Sequence, residues 1–335
     1  MFATSYRLLL NIILSAAVIL LAASCSSADV YSGASKNPVS FINGNDNISL
    51  ITYNIKAIYE KEEEQIDKVM EFVNDEKYDF VVFQELFNES TRDYILEKTD
   101  TSFYRSIISR VDYNSFPSFI FQDAGLFMMG RYPIIDLSEV EFDDDICESN
   151  GVIHMILEKE FSKTNDFLAN KSVLGVLFKI NDSSQVFLFT THVQAIGSRE
   201  HKNLQMEQIR GFIENAVKGV LSSGTVKSSE NLAVILAGDF NNNAYSFERF
   251  QNMLKLLGSP KDLHMEHNGN KQEYTFRFRS GRPSRRFDYI LAYDYINSFP
   301  LKKVYPSSSN AVDLKDDTGE SISDHSALRA VIKID

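Results

Sequence analysis

Apolar runs that stop at a polar residue set the rhythm of this chain. Ile48–Tyr53 reads as a short apolar strand that ends at Asn54, and Phe80–Phe83 is a continuous apolar run that ends in Gln84 and Glu85. A short unbroken run of this kind marks a strand buried on both faces. Between the two, Glu60 to Lys77 places Ile66, Val69, Met70 and Val73 on one helical face. Its first turns carry Glu62, Glu63 and Glu64, where the helix dipole favours acids. The same order returns downstream. Val186–Thr191 leads to His192, Met206, Ile209, Ile213, Ala216 and Val220 keep the spacing of an amphipathic helix, and Leu232–Ala237 leads to Gly238 and Asp239. Phe287–Ala292 and Ala327–Ile334 read as further strands near Asp288 and His325.

Polar residues fit for catalysis therefore collect at strand ends, the edge where α/β sheets bind ligands. The set is Asn54, Glu85, His192, Asp239 with Asn241, Asp288, and Asp324 with His325. Each alone has a plain explanation as a turn residue, an Asx-turn or an edge charge. Their joint order gives them weight.

The amino terminus reads as an export signal over residues 1–24. Arg7 precedes an apolar stretch from Leu8 to Ala23, broken only by Asn11 and Ser15, and the small residues Ala22, Ala23 and Ser24 lead into Cys25. The stretch is short of the ~20 apolar residues of a membrane span. One expectation is simple cleavage and secretion. The other is lipidation of Cys25 and a membrane-anchored lipoprotein at the cell surface or in the periplasm. LAASCSS resembles a bacterial lipobox, with Ala22 where Leu is usual. Residues 25–46, rich in Ser, Asn and Gly, are expected to form a flexible linker, and residues 47–335 a single catalytic domain. The formal charge of −12 argues against general affinity for nucleic acid. Cys25 and Cys147 are the two cysteines, so packing rather than disulfides must supply the stability.

The strings TYNI (52–55), QE (84–85), TTHVQA (190–195), GDFN (238–241), FDYI (287–290) and SDH (323–325) together resemble, in order, the endonuclease/exonuclease/phosphatase superfamily. The resemblance covers 48–335. It implies an α/β fold: a DNase I-like four-layered α/β sandwich of two mainly antiparallel sheets packed face to face, with helices outside. Periodicity alone would equally suit a doubly wound sheet. Within the superfamily, TTHVQA, QDAGLFMMGRYPI (122–134) and HKNLQMEQIRGFI (201–213) resemble bacterial neutral sphingomyelinases. Two features depart from that group. The stretch 307–322, where those enzymes carry a membrane-inserting aromatic hairpin, is polar and acidic here. The cysteine pair near their site has no counterpart.

The chemistry implied is metal-assisted attack of water on a phosphodiester. A hard ion, Mg²⁺ with Mn²⁺ or Co²⁺ as substitutes, prefers oxygen ligands. Glu85 is the first-choice ligand, completed by Asn54, with Asp324 contributing directly or by orienting His325. The resemblance makes His325 the general base and His192 the acid or a phosphate contact. Asp324 and Asp288 would each fix a histidine tautomer, while Asp239 and Asn241 position water and phosphate. Five arginines in FRFRSGRPSRRF (276–287) suit either a phosphate or anionic-lipid grip or a solvated hairpin. His264 and His267, in HMEH, are expected in a surface loop, and Cys147, in an acidic stretch, is expected to be structural or incidental. The expectation is an exported monomeric phosphodiesterase acting on a phospholipid at a membrane surface, releasing phosphocholine from sphingomyelin. A secreted nuclease, a phosphoinositide or sugar phosphatase, and a catalytically silent surface lipoprotein are the alternatives.

Overall fold

The computed structural model describes residues 27–32, 47–113, 122–143, 145–160, 168–269, 271–278 and 283–335. The expected signal over 1–24 and Cys25 lie outside the described residues.

The chain runs through β1 (Ala28–Ser32), β2 (Asn47–Ala57), α1 (Glu63–Glu76), β3 (Phe80–Leu86), α2 (Glu89–Lys98), β4 (Ser106–Val111) and β5 (Phe127–Gly130). It continues with β6 (Cys147–Ser149), β7 (Val152–Ile156), β8 (Ser172–Asn181), β9 (Ser184–His192), α3 (Arg199–Ser222), β10 (Leu232–Asp239) and α4 (Phe247–Leu256). The two-residue β11 (Lys261–Asp262) and α5 (Leu263–Asn268) follow, then a hairpin of β12 (Phe276–Arg277) and β13 (Pro283–Arg285). β14 (Asp288–Tyr293), a second small hairpin of β15 (Tyr295–Ile296) and β16 (Phe299–Pro300), β17 (Val304–Val312) and β18 (Ala327–Ile334) complete the fold.

Two 7-stranded sheets have the orders β1-β4-β5-β3-β2-β18-β17 and β11-β14-β10-β9-β8-β7-β6. Each holds one parallel pair, β2 with β3 and β9 with β10, and is otherwise antiparallel. Strand side chains alternate between faces, which sorts the apolar residues into three cores. Leu50, Val82, Val176, Leu188, Ile235 and Leu328 fill the space between the sheets. Ile51, Tyr53, Val81 and Phe83 face α1 and α2 through Ile66, Val69, Val73 and Ile95. Phe187, Phe189 and Leu236 face α3 and α4 through Ile209, Phe212, Ile213 and Phe250. The result is the four-layered sandwich. Strands buried on both faces explain the unbroken apolar runs.

Two expectations change. The tether gives way at Ala28–Ser32 to an edge strand paired with β4, with Ala28 fully buried. Ser and Asn composition hid a strand whose partner lies about 80 residues away. HMEH is not a surface loop: it forms α5, with His264 buried and Nδ1 3.0 Å from Ser309 Oγ. Burial also lowers His264 to about 4. The polar stretch at 307–322 begins inside β17 as part of the first sheet. Among the described residues, no helix is long and apolar enough to cross a membrane.

Candidate active site

Backbone register assembles the site before any side chain is considered. Asp239, the last residue of β10, lies opposite His192 of β9 on one side and Asp288 of β14 on the other. Thus three of the sequence candidates form one row across the second sheet. The row needs a glycine. Gly238 has φ +147°, and a Cβ there would sit 2.1 Å from Thr191 O. In the first sheet, Asn54 is level with Gln84, and the ladder slips between Asn54 and Ala57. Lys56 and Glu85 take left-handed φ values of 53° and 56° around that slip. Bulges of this kind re-aim side chains. Here the irregularity turns Asn54 and Glu85 toward the second sheet.

The two halves meet through hydrogen bonds. Asn54 Nδ2 donates to Glu85 Oε1 and to Asp239 Oδ2, both at 3.0 Å, so one amide spans the sheets. Below it, Gln84 Nε2 donates to Thr52 Oγ1 at 3.1 Å and to Thr190 Oγ1 at 3.3 Å, a fully buried polar link between the same sheets. Ser323 Oγ donates to Asn54 O at 2.7 Å and accepts from His325 N at 3.1 Å, fixing the loop that delivers His325.

Each histidine has a distinct environment. His325 Nδ1 lies 2.9 Å from Asp288 Oδ2, and its Nε2 points toward Asp239 Oδ2 at 3.6 Å. Burial disfavours its cation, but Asp288 and Asp239 outweigh that and raise it to about 10. His192 Nε2 lies 3.3 Å from Asn241 Nδ2, 3.6 Å from Glu85 Oε1 and 3.7 Å from Asp239 Oδ2. Burial, Lys171 and His325 hold His192 well below its ordinary value, so it is neutral. Asp239 is raised, chiefly by burial, against the pull of His325.

The structure thus gathers Asn54, Glu85, His192, Asp239, Asn241, Asp288 and His325 at one edge. It leaves Asp324 aside. That carboxylate forms an ion pair with Lys56 at 2.5 Å on the partly exposed rim. The tautomer of His325 is fixed by Asp288, not Asp324. Asn54 also differs from a simple ligand, because its Oδ1 accepts from Lys56 N at 3.1 Å and its nitrogen faces the carboxylates. A half-turn of the amide would present the oxygen instead.

The residues present fit a divalent cation. Ligand atoms of Glu85, His192 and Asp239 lie within 4.8 Å of one another, and so do those of Asp239, Asp288 and His325. Asp288 Oδ1 is buried with no hydrogen-bond partner among the described residues. Three carboxylates packed this closely and mostly buried call for positive charge.

Two of the five arginines in 276–287 are packed into the structure. Arg286 is fully buried in an ion pair with Asp262 and lies 4.5 Å over the Tyr289 ring. Arg277 pairs with Asp313 at 2.9 Å and with Ser326 Oγ at 2.6 Å. Arg285 is exposed, and Arg279 and Arg282 lie outside the described residues. Sequence reasoning assigned no role to Lys56, Gln84 or Ser323, although the last two lie in the QE and SDH strings. Only Ser323, two residues before His325, carried a local signal, since such a hydroxyl commonly caps its own turn.

No family model matches the chain. An uncharacterized protein of Dictyostelium discoideum is 29% identical over 198 residues, 57% of this chain. This chain spans only 16% of that relative. Solved structures are more informative. Beta toxin from Staphylococcus aureus superposes with TM-score 0.58 at 17% identity, over 84% of this chain and 99% of that one. Sphingomyelinase C from Streptomyces griseocarneus gives 0.55 at 18%, over 85% and 99%. D. rerio TDP2 complexed with a single-strand DNA product gives 0.52 at 18%, over 86% and 99%. The fold is the one these solved structures share, a DNase I-like four-layered α/β sandwich. That fold sets two sheet edges against each other, so residues far apart in sequence meet where Asn54 contacts Asp239.

Proposed function

We propose that the protein is a metal-dependent phosphodiesterase, and that its substrate is a phospholipid from which it releases phosphocholine in the manner of a sphingomyelinase. The observation that carries the hydrolase reading is the convergence of the Asp288–His325 pair with Glu85, His192 and Asp239 at one sheet edge. Glu85 and Asp239 would hold the ion, with the Asn54 oxygen completing the set. A divalent ion such as Mg²⁺ held by these residues would supply Lewis-acid polarisation of a phosphoryl oxygen and would offset the carboxylates that keep His325 protonated. His325, oriented by Asp288, then takes the proton of the attacking water. Asn241 and His192 face the same space, where His192 contacts the phosphate or, once protonated, serves the leaving oxygen. The phospholipid assignment is supported by the similarity of TTHVQA and its following helix to sphingomyelinases. A nuclease is the second reading, favoured by the comparable likeness to a structure holding a DNA product.

A panel assay with Mg²⁺ on sphingomyelin, phosphatidylcholine, plasmid DNA and inositol phosphates separates these. The expected result is hydrolysis of a choline phospholipid, reduced ~10²–10⁴-fold in His325→Gln. Plasmid cleavage without lipid turnover selects the nuclease, and near-normal turnover by a folded His325→Gln protein removes His325 as the base.

A further inference from the structure

Nine large hydrophobic side chains are exposed among the described residues, and five of them, Ile58, Tyr59, Ile196, Phe247 and Phe278, belong to segments that follow or flank the strand ends of the catalytic edge. Ile58 and Tyr59 follow Asn54, Ile196 follows His192, and Phe247 follows Asp239 and Asn241. Phe278 lies next to the bridge that joins Phe276 to His325, its ring 5.4 Å from that of Phe276. Tyr59 is 84% and Phe247 76% exposed. Apolar area left in water gains ~25 cal/mol per Å² when an apolar phase covers it. Scattered single hydrophobics need no explanation, but a group around one site does.

These side chains come from four separate segments, each reached directly from a strand end or bridge that carries a site residue, so no single segment supplies the apolar surface. An exposed cation stands close in sequence to each apolar tip: Lys56 of β2, Arg199 at the start of α3, Arg249 of α4 and Arg285 of β13, the last 4.9 Å over the Phe278 ring. Exposed acids accompany them at Glu60, Glu200 and Glu248. Mixed charge interleaved with apolar tips matches a headgroup layer that carries both signs.

We propose that this rim docks the catalytic edge on a zwitterionic lipid–water interface, with Tyr59 and Phe247 inserted among the headgroups. The proposal deepens the phospholipid reading and rests on it for biological sense. The chain contains no Trp, so Tyr59→Trp and Phe247→Trp each create a single probe. Tyr295→Trp is the control, because Tyr295 is 62% exposed on the hairpin beyond the opposite end of β14. Each full-length variant is mixed, in EDTA, with phosphatidylcholine vesicles bearing brominated acyl chains. Insertion predicts a blue shift and roughly twofold or greater quenching at positions 59 and 247, with little change at 295. Equal quenching at all three positions, or no quenching at 59 and 247, overturns the proposal. EDTA uncouples docking from turnover, so quenching at the rim of a protein that hydrolyses no phospholipid would overturn the substrate reading and leave the surface standing.

Discussion

Two buried histidines about the same carboxylate carry opposite protonation. Asp288 and Asp239 keep His325 charged, while burial and Lys171 keep His192 neutral. The raised value of His325, about 10 against an ordinary 6.5, stabilises the fold fully below 6.5 and loses that contribution as pH rises toward 10. In metal-free protein, the melting-temperature difference between wild type and His325→Gln should therefore shrink from pH 7 to pH 10, by ~2–4 °C for each kcal/mol lost. A difference that stays constant across that interval would show that His325 is not held as a cation.

At the scale of elements, the segment from β12 to β14 does two jobs. It delivers Asp288 to the site through backbone amides of Phe287 and Asp288 that donate to Thr275 Oγ1 at 3.0 and 3.2 Å. It also buries Arg286 against Asp262, which caps α5 by accepting from the amides of His264 and Met265. Removing one member of a buried pair leaves an uncompensated charge. Arg286→Met should cost ~3–5 kcal/mol in urea unfolding, and adding Asp262→Asn should recover part of it. A phosphate-gripping role predicts the reverse pattern: weaker substrate binding with stability unchanged. The sequence displayed five arginines but not that Arg286 is buried, because its burial depends on Asp262, at the junction of β11 and α5, lying beside β14.

For the whole molecule, the catalytic edge and the amino terminus bear on the same question of membrane attachment. We propose that Cys25 carries lipid and that the protein is exported. Metabolic labelling with a clickable palmitate analogue should then tag the wild type and not Cys25→Ala. An unlabelled wild type would sink the lipoprotein reading and leave the apolar rim as the proposed means of docking.

Element order was legible from the chain alone. The runs ending at Asn54, Glu85, His192 and Asp239 became β2, β3, β9 and β10, and the predicted helices became α1 and α3 within a few residues. Strand and helix periodicity follow from local burial, which apolar spacing records directly. The ordered motifs also named most of the site. Only the tertiary structure decided how the sheets face each other, that Asn54 Nδ2 bridges Glu85 and Asp239, and that Asp288 rather than Asp324 holds His325. Those outcomes depend on register slips, left-handed residues and contacts between residues 31, 37 and 185 positions apart. No local pattern encodes them, because each is fixed by what the partner strand presents at the same level.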